Sequence, residues 1–232
     1  MEDGLLLILI KIIFINIILS GDNAVVIALA CRRLPEEQRK KAVFIGSFGA
    51  IGLRVGLTFV AVWLLEIPFF QIIGGLLLLW IAINLIKGES KEDQLKGGTS
   101  MAEAIKTIII ADLVMSLDNV VAVAGAAQGN LVMILIGLAM SIPLIIWGSQ
   151  ILMKLMNRFP IIVILGAGLL GYTAGEMVMN DKSVSHYFET HFSAGHYLIP
   201  ISLALAVIVI GKLMNKGSHH TPIEQTAAGS EE

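Results

Sequence analysis

The chain has 232 residues, of which 56% are hydrophobic and 15% are charged, and its mean hydropathy is +0.84. That much apolar sequence exceeds what the core of a water-soluble domain can hide, so the composition predicts a polytopic membrane protein. The formal net charge of −2 excludes the basic surface that a nucleic-acid-binding protein needs. The single cysteine, Cys31, excludes a disulfide framework and a thiolate metal cluster.

Apolar runs near the length needed to cross about 30 Å of hydrocarbon occur repeatedly along the chain. They predict an all-α fold with seven transmembrane helices, an odd number that puts the termini on opposite sides of the membrane. The acidic start, Met1-Glu2-Asp3, does not match a cleavable signal, so we expect the first span to be retained. The predicted spans are residues 5–31, 42–65, 67–87, 102–128, 130–153, 160–180 and 197–214.

Basic residues are concentrated in alternate connections between the predicted spans. Lysines and arginines follow spans one, three, five and seven, whereas the connections after spans two and four have none. Cytoplasmic loops are enriched in Lys and Arg, so this pattern predicts that the N-terminus is outside and the C-terminus is cytoplasmic.

One polar motif occurs twice inside apolar segments, at Ser20–Val26 and, 96 positions later, at Ser116–Ala122. Both copies contain an Asp-Asn pair, Asp22-Asn23 in the first and Asp118-Asn119 in the second. An aspartate near the middle of a span costs about 2.5 to 3.5 kcal/mol on insertion scales, so its repetition indicates a function. The alternative is that both aspartates are helix-packing groups that hydrogen-bond other spans.

The repetition extends beyond this motif and divides the chain into two halves. Three spans in each half invert the second copy relative to the first, as in many secondary transporters. We therefore predict repeats at 1–87 and 102–180, a cytoplasmic linker at 88–101, an external loop with the seventh helix at 181–216, and a disordered tail at 217–232. At an offset of 92, Pro68 aligns with Pro160, Gly74 with Gly166, and Asn84 with Glu176.

Spans one and four are long enough that they must either tilt strongly or break. Ser20-Gly21-Asp22-Asn23 is a plausible break, because glycine weakens a helix and Ser, Asp and Asn favour helix starts. The second copy has Leu117 in place of Gly21, which makes a break there less favourable.

The Asp-Asn pairs offer carboxylate and amide oxygens, and the predicted spans contain no histidine. Oxygen-rich sets suit Mn²⁺, Mg²⁺ or Ca²⁺ better than Zn²⁺ or Cu⁺. Two ionised aspartates would neutralise one divalent ion, so the pairing favours a charge of two. The predicted ligands are Asp22, Asn23, Asp118 and Asn119.

Three further intramembrane charges have two interpretations each. Asp112 lies about 240° around a regular helix from Asp118, so it is a ligand only if the helix distorts or if it serves a second position on the path. Glu176 is either a proton acceptor or extra ligand, or an interfacial carboxylate. Arg54 should pair with a carboxylate, either to balance charge when metal is absent or as a permanent structural ion pair.

The external loop between spans six and seven carries acidic and histidine side chains. Its histidines are five residues apart, which is no recognised ligand spacing, so we expect an ordinary polar loop. The residues are Asp181, His186, Glu189, His191 and His196.

The stretch Asp112-Leu-Val-Met-Ser-Leu-Asp-Asn119, the Gly74–Leu78 run, the Asp-Asn copies and the seven-span layout together resemble the TerC family of integral membrane proteins. That family is named for an association with tellurium resistance and is similar to lysine-exporter-like transporters. The resemblance implies export of a metal ion, with manganese the expected substrate, across a bacterial plasma membrane. It carries the metal-site role to Asp22, Asn23, Asp118, Asn119 and Asp112.

We therefore expect a carrier rather than an enzyme, one that exports a divalent cation by alternating access. Protons are the expected counter-substrate, because carboxylates lose protons when they bind metal. No resident cofactor is expected, and the expected partners are the cation, the lipid bilayer and, less specifically, a second copy or the secretion machinery. The alternatives are a membrane-protein assembly factor without transport activity and, more remotely, an intramembrane aspartyl protease.

Overall fold

The structure is a computed structural model that describes residues 10, 12–15, 19–64, 67–87, 100–126, 130–185 and 195–216. Within those ranges the regular secondary structure is helical, which confirms the predicted all-α class. The predicted linker residues 88–99, loop residues 186–194 and tail 217–232 lie outside the described residues. The helices are α1 (Gly21–Cys31), α2 (Glu36–Thr58), α3 (Ala61–Leu64), α4 (Phe70–Lys87), α5 (Met101–Ala126), α6 (Leu131–Arg158), α7 (Ile161–Asn180) and α8 (Gly195–Lys216).

Five helices in the described part of the chain are long and apolar enough to cross a membrane. They are α2, α4, α6, α7 and α8, and α1 is a shorter apolar helix. The chain is therefore a multi-pass membrane protein, while the count of seven spans stays a prediction.

The two Asp-Asn motifs lie in different helical contexts. α1 begins at Gly21, and the Ala24 amide donates to the carbonyl of Ser20, the residue before the helix, at 3.0 Å. The second motif lies inside α5, which is continuous over 26 residues. Leu117 stands where the first motif has Gly21, and leucine is a much better helix former than glycine. A helix boundary therefore falls at the predicted position in the first copy only.

Helices α1 and α5, which carry the motifs, pack against each other. α1 also packs against α6, α5 against α2, α4 against α7, and α8 against α7 and α4. Small residues allow close approach: a Cβ on Gly75 would lie 2.7 Å from the Ala174 carbonyl oxygen, where α4 meets α7. The motif helices thus occupy the interior of the bundle, and α1 is buried from Asn23 to Cys31.

Asp181, at the end of α7, organises the start of α4. Its side chain accepts from the Phe69 amide at 3.3 Å, from the Gln71 amide at 3.2 Å and from the Ser183 amide at 2.9 Å. Phe69 has a φ of 63°, an uncommon conformation for a non-glycine residue. Asp181 is only 2% exposed, so the prediction of an ordinary polar loop is wrong for this residue.

Candidate functional site

A buried ion pair joins α2 to α5. Arg54 Nη2 donates to Asp112 Oδ1 at 2.5 Å, and Arg54 Nε donates to Ser116 Oγ at 2.9 Å. Ser116 Oγ donates in turn to Asp112 Oδ2 at 3.0 Å. Asp112 and Ser116 are four residues apart on α5 and so lie on one face, where both can meet the guanidinium. The Arg54 side chain is 3% exposed, so its charge is neutralised inside the bundle.

The start of α1 brings a second carboxylate and an amide to this ion pair. Asp22 interacts electrostatically with Arg54 and Asp112, and its Oδ1 accepts from the Asn23 amide N–H at 2.8 Å. Asn23 Nδ2 donates to the Leu19 carbonyl at 3.1 Å. That bond fixes the side-chain amide, and Asn23 Oδ1 is left buried without a hydrogen-bond partner among the described residues.

A small cavity lies between α1, α2, α5 and α6 on the Ser47 side of Arg54. Its volume is about 10 Å³, which is close to the smallest space that holds one water molecule. The Ser47 hydroxyl is buried and, within the described ranges, has no hydrogen-bond partner. The polar residues that line the cavity are Asn23, Ser47, Arg54 and Asp112.

A second pocket lies on the Thr58 side of Arg54. Its lining combines Arg54 and Thr58 of α2 with Asn119 and apolar residues of α5 and α6, and it is too narrow to hold a water molecule. Asn119 Nδ2 is buried and finds no partner in the described part of the chain. The amides of the two Asp-Asn motifs therefore lie on opposite sides of Arg54.

The first cavity, which we call the Ser47-side cavity, offers carboxylate, amide and hydroxyl oxygens. Such donors bind hard cations, and the unpaired acceptor of Asn23 is a group that a cation would satisfy. No group of three or more His, Cys, Asp or Glu residues suited to a metal occurs among the residues that the structure describes. A cation in this cavity would therefore rely on neutral oxygens as well as carboxylates.

The structure places some of the predicted site residues together and others apart. Asp22, Asn23 and Asp112 converge near Arg54, whereas Asn119 lies in the second pocket. The side chain of Asp118 lies outside what the structure describes, although its backbone is part of α5.

Glu176 does not line either pocket at Arg54. Its side chain is exposed and hydrogen-bonds with Tyr172, one turn earlier on α7. The proton-acceptor role predicted for it remains untested, and its exposure places it on the outer surface of the described bundle.

Ser47 is the residue that the sequence analysis did not identify. It precedes Arg54 by seven residues on α2, so the two lie on one helical face two turns apart. A small polar residue in line with a buried arginine was the signal that could have found it.

The sequence of residues 1–219 matches the family described as "Integral membrane protein TerC family". Among curated relatives, the membrane protein YjbE of Bacillus subtilis (strain 168) is 44% identical over 92% of this chain and 97% of its own length. YceF of the same organism is 29% identical over 93% and 84%, respectively. The inner membrane protein YgdQ of Escherichia coli (strain K12) is 24% identical over 87% and 90%. No solved structure matches the chain.

Proposed function

Because the chain belongs to the TerC family of integral membrane proteins, we propose that it is a carrier that exports a divalent cation, Mn²⁺, from the bacterial cytoplasm. In this proposal the protein is a transporter and not an enzyme. The observation that carries it is the Ser47-side cavity, where the Asp112 carboxylate and the unpaired amide oxygen of Asn23 meet inside an apolar helix bundle.

Charge and donor type support a divalent substrate. Asp112 lines the cavity and Asp22 interacts with Asp112 electrostatically, while Asn23 and Ser47 add neutral oxygens to the lining. Mn²⁺ and Mg²⁺ accept such oxygen sets, whereas Zn²⁺ and Cu⁺ prefer nitrogen or sulfur ligands. From the second motif, Asp118 is a further proposed ligand, and Asn119 would bind the ion on the Thr58 side of Arg54, where it lines the second pocket.

The architecture we propose is two inverted three-helix repeats, with α8 added. Spans one to three would correspond to α1, α2 and α4, and spans four to six to α5, α6 and α7. The helix contacts support this scheme, because the packing of α1 on α6 has its counterpart in α5 on α2. The repeat symmetry would exchange α1 with α5, α2 with α6, and α4 with α7. In each of these three pairs the two helices contact each other.

Alternating access follows from this arrangement if one repeat rocks against the other around the site. The N-terminus would lie outside, so the Ser47 side of Arg54 faces the cytoplasm and the Thr58 side faces outward. Carboxylates must be deprotonated to bind metal, so metal entry releases protons and makes proton antiport the natural coupling.

Transport by purified protein in lipid vesicles tests the proposal. We expect saturable Mn²⁺ flux driven by an opposing proton gradient, and loss of that flux in Asp22→Asn and Asp118→Asn variants. Glu36→Gln is the matched control, because it removes a carboxylate from the exposed Glu36–Lys40 pair at the start of α2. Normal flux in Asp118→Asn, or no cation flux in the wild type, would contradict the proposal.

A further inference from the structure

A third and larger cavity lies where the end of α1 meets the last turns of α4 and the first turns of α5. Its volume is about 150 Å³, similar to that of cavities that bind a benzene molecule, whereas the Ser47-side cavity has about 10 Å³. We call it the Arg33 cavity. It contains neither Asp-Asn motif, so the proposed transport function leaves it without a role. Its lining residues are Leu29, Ala30, Arg33, Trp80, Ile81, Asn84, Leu85 and Thr107.

The Arg33 cavity has a positive lining. Arg32 and Arg33 follow the last residue of α1, and Arg33 lines the cavity. No carboxylate belongs to this lining among the residues that the structure describes. Glu103, one turn before the lining residue Thr107, accepts from the Ser100 amide at 3.0 Å and so caps the start of α5. A polar group that binds here should therefore carry a negative charge.

Arg32, just beyond α1, lies beside the cavity and is incompletely satisfied. Its Nη2 donates to the carbonyl of the lining residue Leu85 at 3.3 Å, and its Nε is buried without a hydrogen-bond partner in the described part of the chain. Burial and the neighbouring Arg33 charge lower the pKa of Arg32 to about 10, so the guanidinium stays charged at neutral pH. An anion in the cavity would offset the repulsion between the two arginines.

An exposed apolar stripe on α4 leads to the cavity. Ile73, Leu76 and Leu77 lie on the same face as Trp80, because residues three, four and seven positions apart share one side of a helix. The side chains of all four are exposed, and Asn84 continues the stripe one turn later with a polar group. α4 is long and apolar enough to cross a membrane, so this face can contact acyl chains. Tryptophan is enriched at the level of the headgroups, which is where the stripe reaches the cavity.

We propose that the Arg33 cavity binds the headgroup of an anionic phospholipid, whose acyl chain lies along the exposed stripe of α4. The Arg33 guanidinium pairs with the phosphate, and the Asn84 amide and the Thr107 hydroxyl donate to its oxygens. Basic pockets between helices at a membrane surface suit such headgroups. The stripe favours a lipid over a soluble phosphate, because only a lipid gains from contact with Leu76 and Trp80. The bound lipid joins α1 and α4 to α5.

Quenching of Trp80 fluorescence by lipids with brominated acyl chains tests the proposal. The chain has three tryptophans, so Trp63→Phe combined with Trp147→Phe leaves Trp80 as the reporter. In vesicles that mix phosphatidylglycerol with phosphatidylcholine, Trp80 should show at least a fivefold preference for brominated phosphatidylglycerol. A matched protein that keeps only Trp147, which is 67% exposed and does not line the cavity, should show equal quenching by both lipids.

Charge variants of the Trp80 reporter test the role of Arg33. Arg33→Gln should lower the preference for phosphatidylglycerol about fivefold, the factor that one basic residue contributes at an anionic membrane surface. Lys41→Gln removes the same charge from an exposed position on α2 that does not line the cavity, and should leave the preference unchanged. Equal quenching of Trp80 by the two lipids in the unsubstituted cavity, or equal losses in the two charge variants, would overturn the proposal.

Inorganic phosphate distinguishes a lipid headgroup from a soluble source of the same anion. Added to the vesicles, it should leave quenching of Trp80 by brominated phosphatidylglycerol unchanged, as should chloride at equal ionic strength. Loss of quenching with phosphate but not with chloride would show that the cavity takes a soluble anion, and would overturn the assignment to a lipid. None of these measurements involves Mn²⁺, so their outcome is independent of the proposed transport function.

Discussion

The two Asp-Asn motifs share a sequence but not a structure. In the first, the helix begins at Gly21, and Asn23 is left with a free acceptor oxygen. In the second, α5 is continuous, and its preceding residues Asp112 and Ser116 are bound to Arg54.

This difference teaches that the two halves bring different chemistry to the interior. The first motif supplies acceptors that are ready for a ligand, whereas the second half supplies a carboxylate that is already neutralised. A cation bound between them could coordinate the free acceptors directly, but it could bind Asp112 only by displacing Arg54. The following predictions test this asymmetry, beginning with the largest expected effect.

Asp112→Asn tests the buried Arg54–Asp112 ion pair. The substitution leaves the buried Arg54 guanidinium without the carboxylate that contacts it, which costs about 3 to 5 kcal/mol for pairs of this kind. We expect a large drop in melting temperature, measured by tryptophan fluorescence in detergent. Glu36→Gln is the control, because the Glu36–Lys40 pair is exposed and its loss should leave the melting temperature unchanged. Equal melting temperatures for Asp112→Asn and wild type would show that Asp112 does not compensate Arg54.

The two motifs begin Ser-Gly-Asp and Ser-Leu-Asp, so they differ at the second residue. Substituting alanine there, in Gly21→Ala and Leu117→Ala, compares the two sites directly. Leu117 is 3% exposed and packs with Leu57 and Val120, so its truncation should destabilise the protein by about 2 to 5 kcal/mol. A Cβ at Gly21 would meet no atom within 4 Å, so Gly21→Ala should change stability by at most about 0.5 kcal/mol. Thermal melting of both variants measures the contrast. A large loss in Gly21→Ala would mean that the start of α1 requires glycine.

Much of this architecture was predictable because membrane spans leave a strong signal in composition. The helical class, the multi-pass character and the family follow from apolar runs and the repeated motif. The helix boundary at Gly21, and its absence at Leu117, was also predictable, since glycine and leucine differ strongly in helix propensity.

The site was less predictable, because its members are brought together by packing between distant helices. Arg54 was expected to need a carboxylate, but the choice of Asp112 depends on how α2 docks on α5. Ser47 has no motif of its own, and Asp181 is buried only because α4 begins beside the end of α7. Sequence spacing along one helix does not encode these contacts.

Asn23→Leu tests the unpaired side-chain oxygen of the first motif. The change removes an unsatisfied buried oxygen but also the hydrogen bond from Asn23 Nδ2 to the Leu19 carbonyl, so stability should fall by no more than about 1 kcal/mol. Mn²⁺ affinity should fall about tenfold because one ligand is lost. Isothermal titration with Mn²⁺ measures the affinity. Asn119→Leu is the matched variant from the second motif and should weaken binding less, because Asn119 lies beyond Arg54. Equal losses in the two variants would indicate that both amides bind the ion together.

Asp181→Asn extends the comparison to the third helix of each proposed repeat, where α4 is capped by Asp181 and α7 follows Pro160 without a side-chain cap. Loss of a helix cap costs about 0.5 to 2 kcal/mol, so a smaller loss of stability is expected here than in Asp112→Asn. Burial disfavours the charge of Asp181, but hydrogen bonds from Ser183 and the Phe69 amide outweigh it and hold its pKa below the ordinary 3.8.

The sign of the pH dependence follows from that lowered pKa. The ionised carboxylate stabilises the folded protein above pH 3.8, and this contribution is lost as the pH falls through the lower pKa of the folded state. The stability difference between wild type and Asp181→Asn should therefore be constant near neutral pH and shrink below 3.8. Melting curves across this range measure it, with Ser183→Ala as a control that keeps the carboxylate and its backbone contacts. A difference that grows on acidification would mean that Asp181 is protonated in the folded protein, and that the cap on α4 is a neutral one.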